Sequence, residues 1–351
     1  MTEASEASAW CVEAHVQEGV QEGGQEGVRE GVVSASATRT HVVLGQVPAV
    51  PKPKAEAPAV RQPSSTPPRL SRDQWVWLQI GLGVVVLAAL WYFNVIRPTS
   101  LGGGKGKGGS GGGGGGGEVP WYAWVFAAAV VYLCMGIGAQ FAAAQVKAGA
   151  WWPFKGVVLD SDQGRALVML GQCVAGLIAG TAMVALSRGK VSWPPASAWA
   201  AGAIAFVVAL PVVNATGLVS VEVYKAIQGK TPPSIAHETL ETIAERPTQA
   251  WVMVLTFCAI VPIPIIEEIL YRYFLQNGIT RALGSAWWGV LITSAIFAAA
   301  HLGSVPVQAL PMLFVLGAAF GVAMVRTGSL AVPIVMHVLF NAANVALAVW
   351  R

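Results

Sequence analysis

The chain has 351 residues, of which 54% are apolar and only 11% charged, with a net charge of +4. Average soluble domains carry about 25% charged residues, so composition points to a membrane protein. The basic residues lie mostly in loops between apolar runs, where membrane topology accounts for them, and nucleic acid is not an expected partner.

In chain order, residues 1–72 are expected to be a disordered tail. They hold a short near-repeat, Gln17-Glu18-Gly19-Val20 through Arg29-Glu30-Gly31-Val32, and then prolines from Pro48 to Pro68. Such a segment cannot bury enough apolar area to offset its ordering entropy. It shows no apolar core of a secretory signal, and Ala348-Val349-Trp350-Arg351 is no prenylation box. Cys11, Cys134, Cys173 and Cys258 form no Cys-x-x-Cys pair and read as small hydrophobes plus one tail thiol.

About 20 apolar residues cross a ~30 Å hydrocarbon core, and eight runs approach or exceed that length. They are Trp75–Ile96, Trp121–Gln145, Ala166–Leu186, Ala198–Tyr224, Ala250–Gln276, Ala286–Leu302, Val307–Arg326 and Leu330–Val349. Lipid offers backbone groups no partner, so runs this uniform must be helices. The expected fold is an all-α integral membrane protein, a bundle of about eight transmembrane helices. Three parts are expected: the tail 1–72, helices over 73–197 with a glycine-rich loop at 102–117, and a helical bundle over 198–351. The bilayer is an expected partner, the plasma membrane if the source is prokaryotic, and oligomeric state is left open. Gly176 with Gly180, and Gly317 with Gly321, have the small-xxx-small spacing of close helix contacts.

Ionisable side chains at bilayer depth are costly, about 2.5–3.5 kcal/mol each for the charged types measured, so they mark function. The last 85 residues hold several. On the fifth run, Glu268 and Arg272 are four apart and share a helical face, which predicts an ion pair. Glu267, about 100° away around the helix, then lacks a local partner and suits general-base work. The alternative is a plain buried Glu–Arg brace. His301 has Phe297 one turn before it, which fits either a site residue or a hydrogen-bonded structural histidine. His337 and Asn341 share a face; a histidine supplies a donor, an acceptor or a metal ligand, and an asparagine amide can donate to an oxyanion. At 1.5 Å rise per residue, these positions fall roughly 10–22 Å from one membrane face, so a single intramembrane site is possible.

The order Glu-Glu-x-x-x-Arg, Phe-x-x-x-His and His-x-x-x-Asn, with Arg326-Thr327-Gly328-Ser329-Leu330 before the last run, resembles the CPBP intramembrane proteases, also called the CAAX protease and bacteriocin-processing (Abi) family. The match covers about residues 265–345. The resemblance implies that Glu267 activates water with help from His301, that His337 and Asn341 stabilise the oxyanion, and that Glu268, Arg272 and Phe297 support them. It implies a peptide substrate, either a prenylated CAAX-type C-terminus or a small peptide precursor. The family is described both as metal-free and as zinc-dependent. Zinc would fall to Glu267, His301 and His337, with a fourth position open.

Two rival motifs carry little. Gly108-Gly109-Ser110-Gly111-Gly112 lies in polyglycine, without the strand-turn-helix frame of a nucleophile elbow. His237-Glu238-Thr239-Leu240-Glu241 lacks the second histidine of a zincin and reads as part of an interfacial helix. A proton-coupled carrier would use buried Glu, His and Arg too, but it should show paired halves, and none are visible. A silent membrane scaffold would not need all three motifs intact.

Overall fold

Each apolar run closes its backbone hydrogen bonds locally, and in the computed structural model, which describes residues 71–101, 119–149, 152–187, 195–230, 232 and 238–350, no β-strand occurs among those residues. The tail before Ser71, the glycine-rich loop, Cys11 and His237 lie outside them. The helices are α1 (Arg72–Tyr92), α2 (Trp121–Ala148), α3 (Asp162–Leu186), α4 (Ala196–Gln228), α5 (Glu238–Glu245), α6 (Ala250–Ile260), α7 (Pro262–Glu268), a π-helical segment (Ile269–Gln276), α8 (Asn277–Leu283), α9 (Ala286–Ala299), α10 (Leu310–Thr327) and α11 (Ala331–Val349).

The polar-to-apolar switch at the start of α1 is set by a capping box. The Ser71 hydroxyl accepts from the Gln74 amide, and the Gln74 side chain accepts from the Ser71 amide at 2.8 Å. This satisfies two of the helix's four orphan donors and starts the helix at Arg72, the last residue of the expected tail. The short helix α5 forms the expected amphipathic element before α6, with Thr242 and Ile243 buried.

Among the described residues, seven helices are long and apolar enough to cross a membrane, with α6, α7, the π segment and α8 counted as one, Ala250–Leu283. The expected eighth falls short. Helix α9 has only 14 residues, roughly 21 Å of rise, and ends before His301. The reason is local: the chain turns through His301, Leu302, Gly303 and Ser304, with a lone bridge between Leu302 and Val305, and Pro306 follows.

Both small-xxx-small pairs act inside the bundle and clasp the same central helix. On α3, Gly176 receives Ile266 and Gly180 receives Ile269. On α10, Gly317 lies against Phe297 and Arg272, and Gly321 against Gln276. A methyl group at Gly321 would stand 2.8 Å from the Gln276 side-chain oxygen, so small residues are what let α10 approach a helix carrying long polar side chains. The core gathers Ile266, Ile269, Leu270, Phe274, Phe297, Phe320 and Met336 around this helix.

Candidate active site

Proline has no amide N–H to donate. Pro262 and Pro264 therefore leave the carbonyls of Cys258 and Ile260 without their helical donors, and the helix breaks at Val261 (φ −116°, ψ −69°). Asn341 on α11 crosses to the break and donates its amide to the Ala259 carbonyl at 2.8 Å. Beyond the break, Glu267 and Glu268 close α7, and the backbone widens into the π-helical segment. Such segments are rare and concentrate at functional sites.

Glu268 is fully buried and fully used. One carboxylate oxygen accepts from Arg272 Nε at 3.0 Å, and the other accepts from His337 Nδ1 at 2.9 Å. Arg272 is also fully buried, with its guanidinium 5.3 Å from the Phe297 ring centroid and 5.7 Å from that of Phe320. Aromatic faces attract a cation at such distances. Removing one partner of a buried pair leaves an uncompensated charge, so Arg272 and Glu268 hold each other in place.

Glu267 faces outward from the same turn. Its carboxylate keeps 18% exposure and stands 3.7 Å from His337 Nε2. The imidazole is thus held between two adjacent carboxylates, Glu268 at Nδ1 and Glu267 at Nε2. With Nδ1–H given to Glu268, the neutral ring presents a lone pair at Nε2. Two acceptors then face each other across 3.7 Å, a gap that suits a group able to donate to both. The His337 ring stacks on Phe320 at 4.9 Å and meets the edge of Phe297 at 6.0 Å, which leaves it little freedom to rotate. Two carboxylates against one guanidinium put the surplus negative charge on the exposed, Glu267 side.

His301 lies in the turn after α9. Its Nδ1 hydrogen-bonds the Phe297 carbonyl at 2.8 Å, and its ring lies 4.8 Å from the Phe297 ring. A carbonyl only accepts, so Nδ1 carries the proton and Nε2 the free lone pair. Phe297 therefore touches both imidazoles and the guanidinium, which makes it the packing centre of the site.

The structure brings Glu267, Glu268, Arg272, Phe297 and His337 together, with His301 joined through Phe297. The expected Glu268–Arg272 pair is present. His337 and Asn341 part company: His337 turns to the two glutamates, and Asn341 spends one donor on the helix break. Sequence reasoning missed Phe320, the π-helical segment and the Glu268–His337 bond. Among the described residues, no group of three or more His, Cys, Asp or Glu side chains stands close enough to hold a metal ion. Glu267, His301 and His337 are thus not gathered into a zinc-binding set as they stand. A separate cavity of about 490 Å³, lined by Asp160, Asp162, Arg165 and Arg246 among others, holds no residue of the three motifs.

All three motifs fall inside residues 248–343, which match the family described as type II CAAX prenyl endopeptidase Rce1-like. That match supports placing the chain in the CPBP, or CAAX protease, family, and with its seven span-length helices it is a multi-pass integral membrane protein. A 75-residue stretch is 37% identical to "Uncharacterized 24.3 kDa protein" of Escherichia coli, covering 21% of this chain and 35% of that one. The match spans about a third of the length of that curated relative. No solved structure matches the chain.

Proposed function

We propose that this protein is an intramembrane endopeptidase in which Glu267 activates the attacking water. The observation that carries the reading is the facing pair of Glu267 and His337 Nε2 across 3.7 Å, with the imidazole fixed from behind by Glu268 at 2.9 Å. A water between the two acceptors donates a hydrogen to each and keeps its lone pairs for the carbonyl carbon of the substrate. As the C–O bond forms, Glu267 takes one water proton. The protonated carboxyl then gives it to the departing amine nitrogen as the C–N bond breaks, so the residue ends as it began.

The developing oxyanion needs a donor. Asn341 keeps a second amide hydrogen beside the one given to Ala259 and is the candidate for that role. His301, with its lone pair at Nε2, is the second candidate to share a water proton. No step is routed through a metal, because the three expected ligands do not assemble into a site.

The substrate is a peptide, and the family description makes a prenylated C-terminal peptide the first to try; a small peptide precursor is the second. The test is incubation of purified protein in detergent with prenylated and unprenylated peptide libraries, with Glu267→Gln as the blank. Cleavage by the wild type alone is the expected outcome. Equal cleavage by the blank removes Glu267 from the reaction, and no cleavage of any peptide removes the endopeptidase reading.

A further inference from the structure

The central helix carries a second feature beyond the two glutamates. Glu268, Arg272, Gln276 and Thr280 recur every fourth residue and so line one face. This file runs from the site toward the α8–α9 turn. Opposite it, α9 and α10 present Gly289, Thr293, Gly317 and Gly321. Gly289 abuts the Gln276 carbonyl and Thr280, while Phe297 lies beneath the Arg272 guanidinium. Thr293, midway between Gly289 and Phe297 at four-residue spacing, therefore stands at the level between Gln276 and Arg272.

Several polar atoms of this file and of the facing Thr293 find no hydrogen-bond partner in the protein: Nη1 and Nη2 of Arg272, the side-chain oxygen of Gln276 and the hydroxyl of Thr293. All three side chains are buried to 2% exposure or less. Their other atoms are employed: Arg272 Nε binds Glu268 at 3.0 Å, and Gln276 Nε2 donates to the Gly321 carbonyl at 3.1 Å. Buried polar atoms without a partner are rare and each calls for an explanation. The aromatic faces of Phe297 and Phe320 attract the guanidinium's charge.

The orphans are of opposite kinds. Arginine only donates and an amide oxygen only accepts. An anion would suit Arg272 and be repelled at Gln276, and a cation would do the reverse. Water accepts from the first and donates to the second, and internal waters settle where two to four polar partners converge. The glycines at 317 and 321 bring the α10 backbone close to these atoms: a Cβ there would stand 3.4 Å from Arg272 Nη2 and 2.8 Å from the Gln276 side-chain oxygen.

We propose that Arg272, Gln276 and Thr293 bind internal water between the π-helical segment, α9 and α10, and that this water connects the Glu268–His337 pair to the membrane face at the α8–α9 turn. Its presence follows from the orphan atoms alone. Its use, to replenish the water consumed at Glu267, rests on the endopeptidase reading above.

Thr293→Val separates the two. A dry, unpartnered hydroxyl is a burden, so its removal would leave stability unchanged or raise it. A hydroxyl bonded to internal water is an asset, and its removal costs. Melting of the purified protein in detergent is expected to fall by about 2 °C or more in Thr293→Val. An unchanged or higher melting temperature overturns the water site. With a cleavable peptide in hand, kcat is expected to drop by about threefold to tenfold at unchanged KM, and Thr293→Ser, which keeps the hydroxyl, to restore it. A lower melting temperature with unchanged kcat overturns the supply role and leaves the water structural. Should the wild type cleave no peptide, the endopeptidase reading fails, and the melting comparison still decides whether water is bound.

Discussion

Helix α1 and the Ala250–Leu283 helix look alike by hydropathy and are used in opposite ways. Their most apolar windows have mean hydropathies of 1.8 and 2.1, yet 6% of the first is buried inside the protein against 44% of the second. Helix α1 packs chiefly on α4, at the close approach of Gly83 to Pro211 and Ala215, and leaves Trp77, Val84 and Val85 exposed. The central helix is enclosed by α2, α3, α9, α10 and α11. Lipid and a protein interior are equally apolar, so hydropathy counts spans without saying which of them is central. What separates the two helices is the polar minority. After Asp73 at its first turn, α1 has no charged residue, whereas the central helix carries Glu267, Glu268 and Arg272 at depth.

The contrast can be broken from the central side first. Glu267→Gln keeps size and shape but removes the base, and peptide cleavage is expected to fall by about 10²–10⁴-fold with unchanged yield and membrane insertion. Near-full activity in the purified variant would move the chemistry elsewhere. Next, Arg272→Met strands the Glu268 carboxylate in the core. A loss of about 3–5 kcal/mol is expected, read as a large drop in melting temperature, whereas a neutral result would mean that the bond from His337 alone suffices to hold Glu268. Of intermediate size, Gly176→Val pushes a branched side chain into Ile266 and Met135 and is expected to cost about 1–3 kcal/mol; its signature is a lower melting temperature with the catalytic groups intact. On the α1 side, Val85→Ala faces outward and should change stability by less than about 0.5 kcal/mol. A large effect there would show that a second surface covers α1. The smallest expected change is that of a chelator: activity should persist after treatment, because the three candidate ligands form no metal-holding group. Loss on chelation and recovery with zinc would restore the metallopeptidase reading.

Much of this architecture was legible from residue order. Seven of eight expected spans appear because their length and uniformity leave lipid no other solution. The Glu268–Arg272 pair was legible because four-residue spacing is a property of one helix. The π-helical segment was not, since Ile269–Gln276 holds no proline or glycine to mark a departure from α-helical winding. Phe320 was invisible for another reason: on α10 it is one aromatic among many apolar residues, and only the tertiary approach of α10 to His337 gives it a role. The same limit explains His337. Shared spacing put it with Asn341 on one helical face, but its hydrogen bond is chosen by whichever neighbour comes near, and the helix carrying the two glutamates is that neighbour. His301 was placed at a helix end; that the end arrives after only 14 residues required the structure.

That early stop has a consequence for the surrounding lipid. A hydrophobic slab of ~30 Å cannot be matched by a rod of roughly 21 Å, and the hairpin bend at Leu302, Gly303 and Ser304 is exposed. A rod of that length stops short of the slab's far side, so the turn that carries His301 falls within the depth that the longer helices cross.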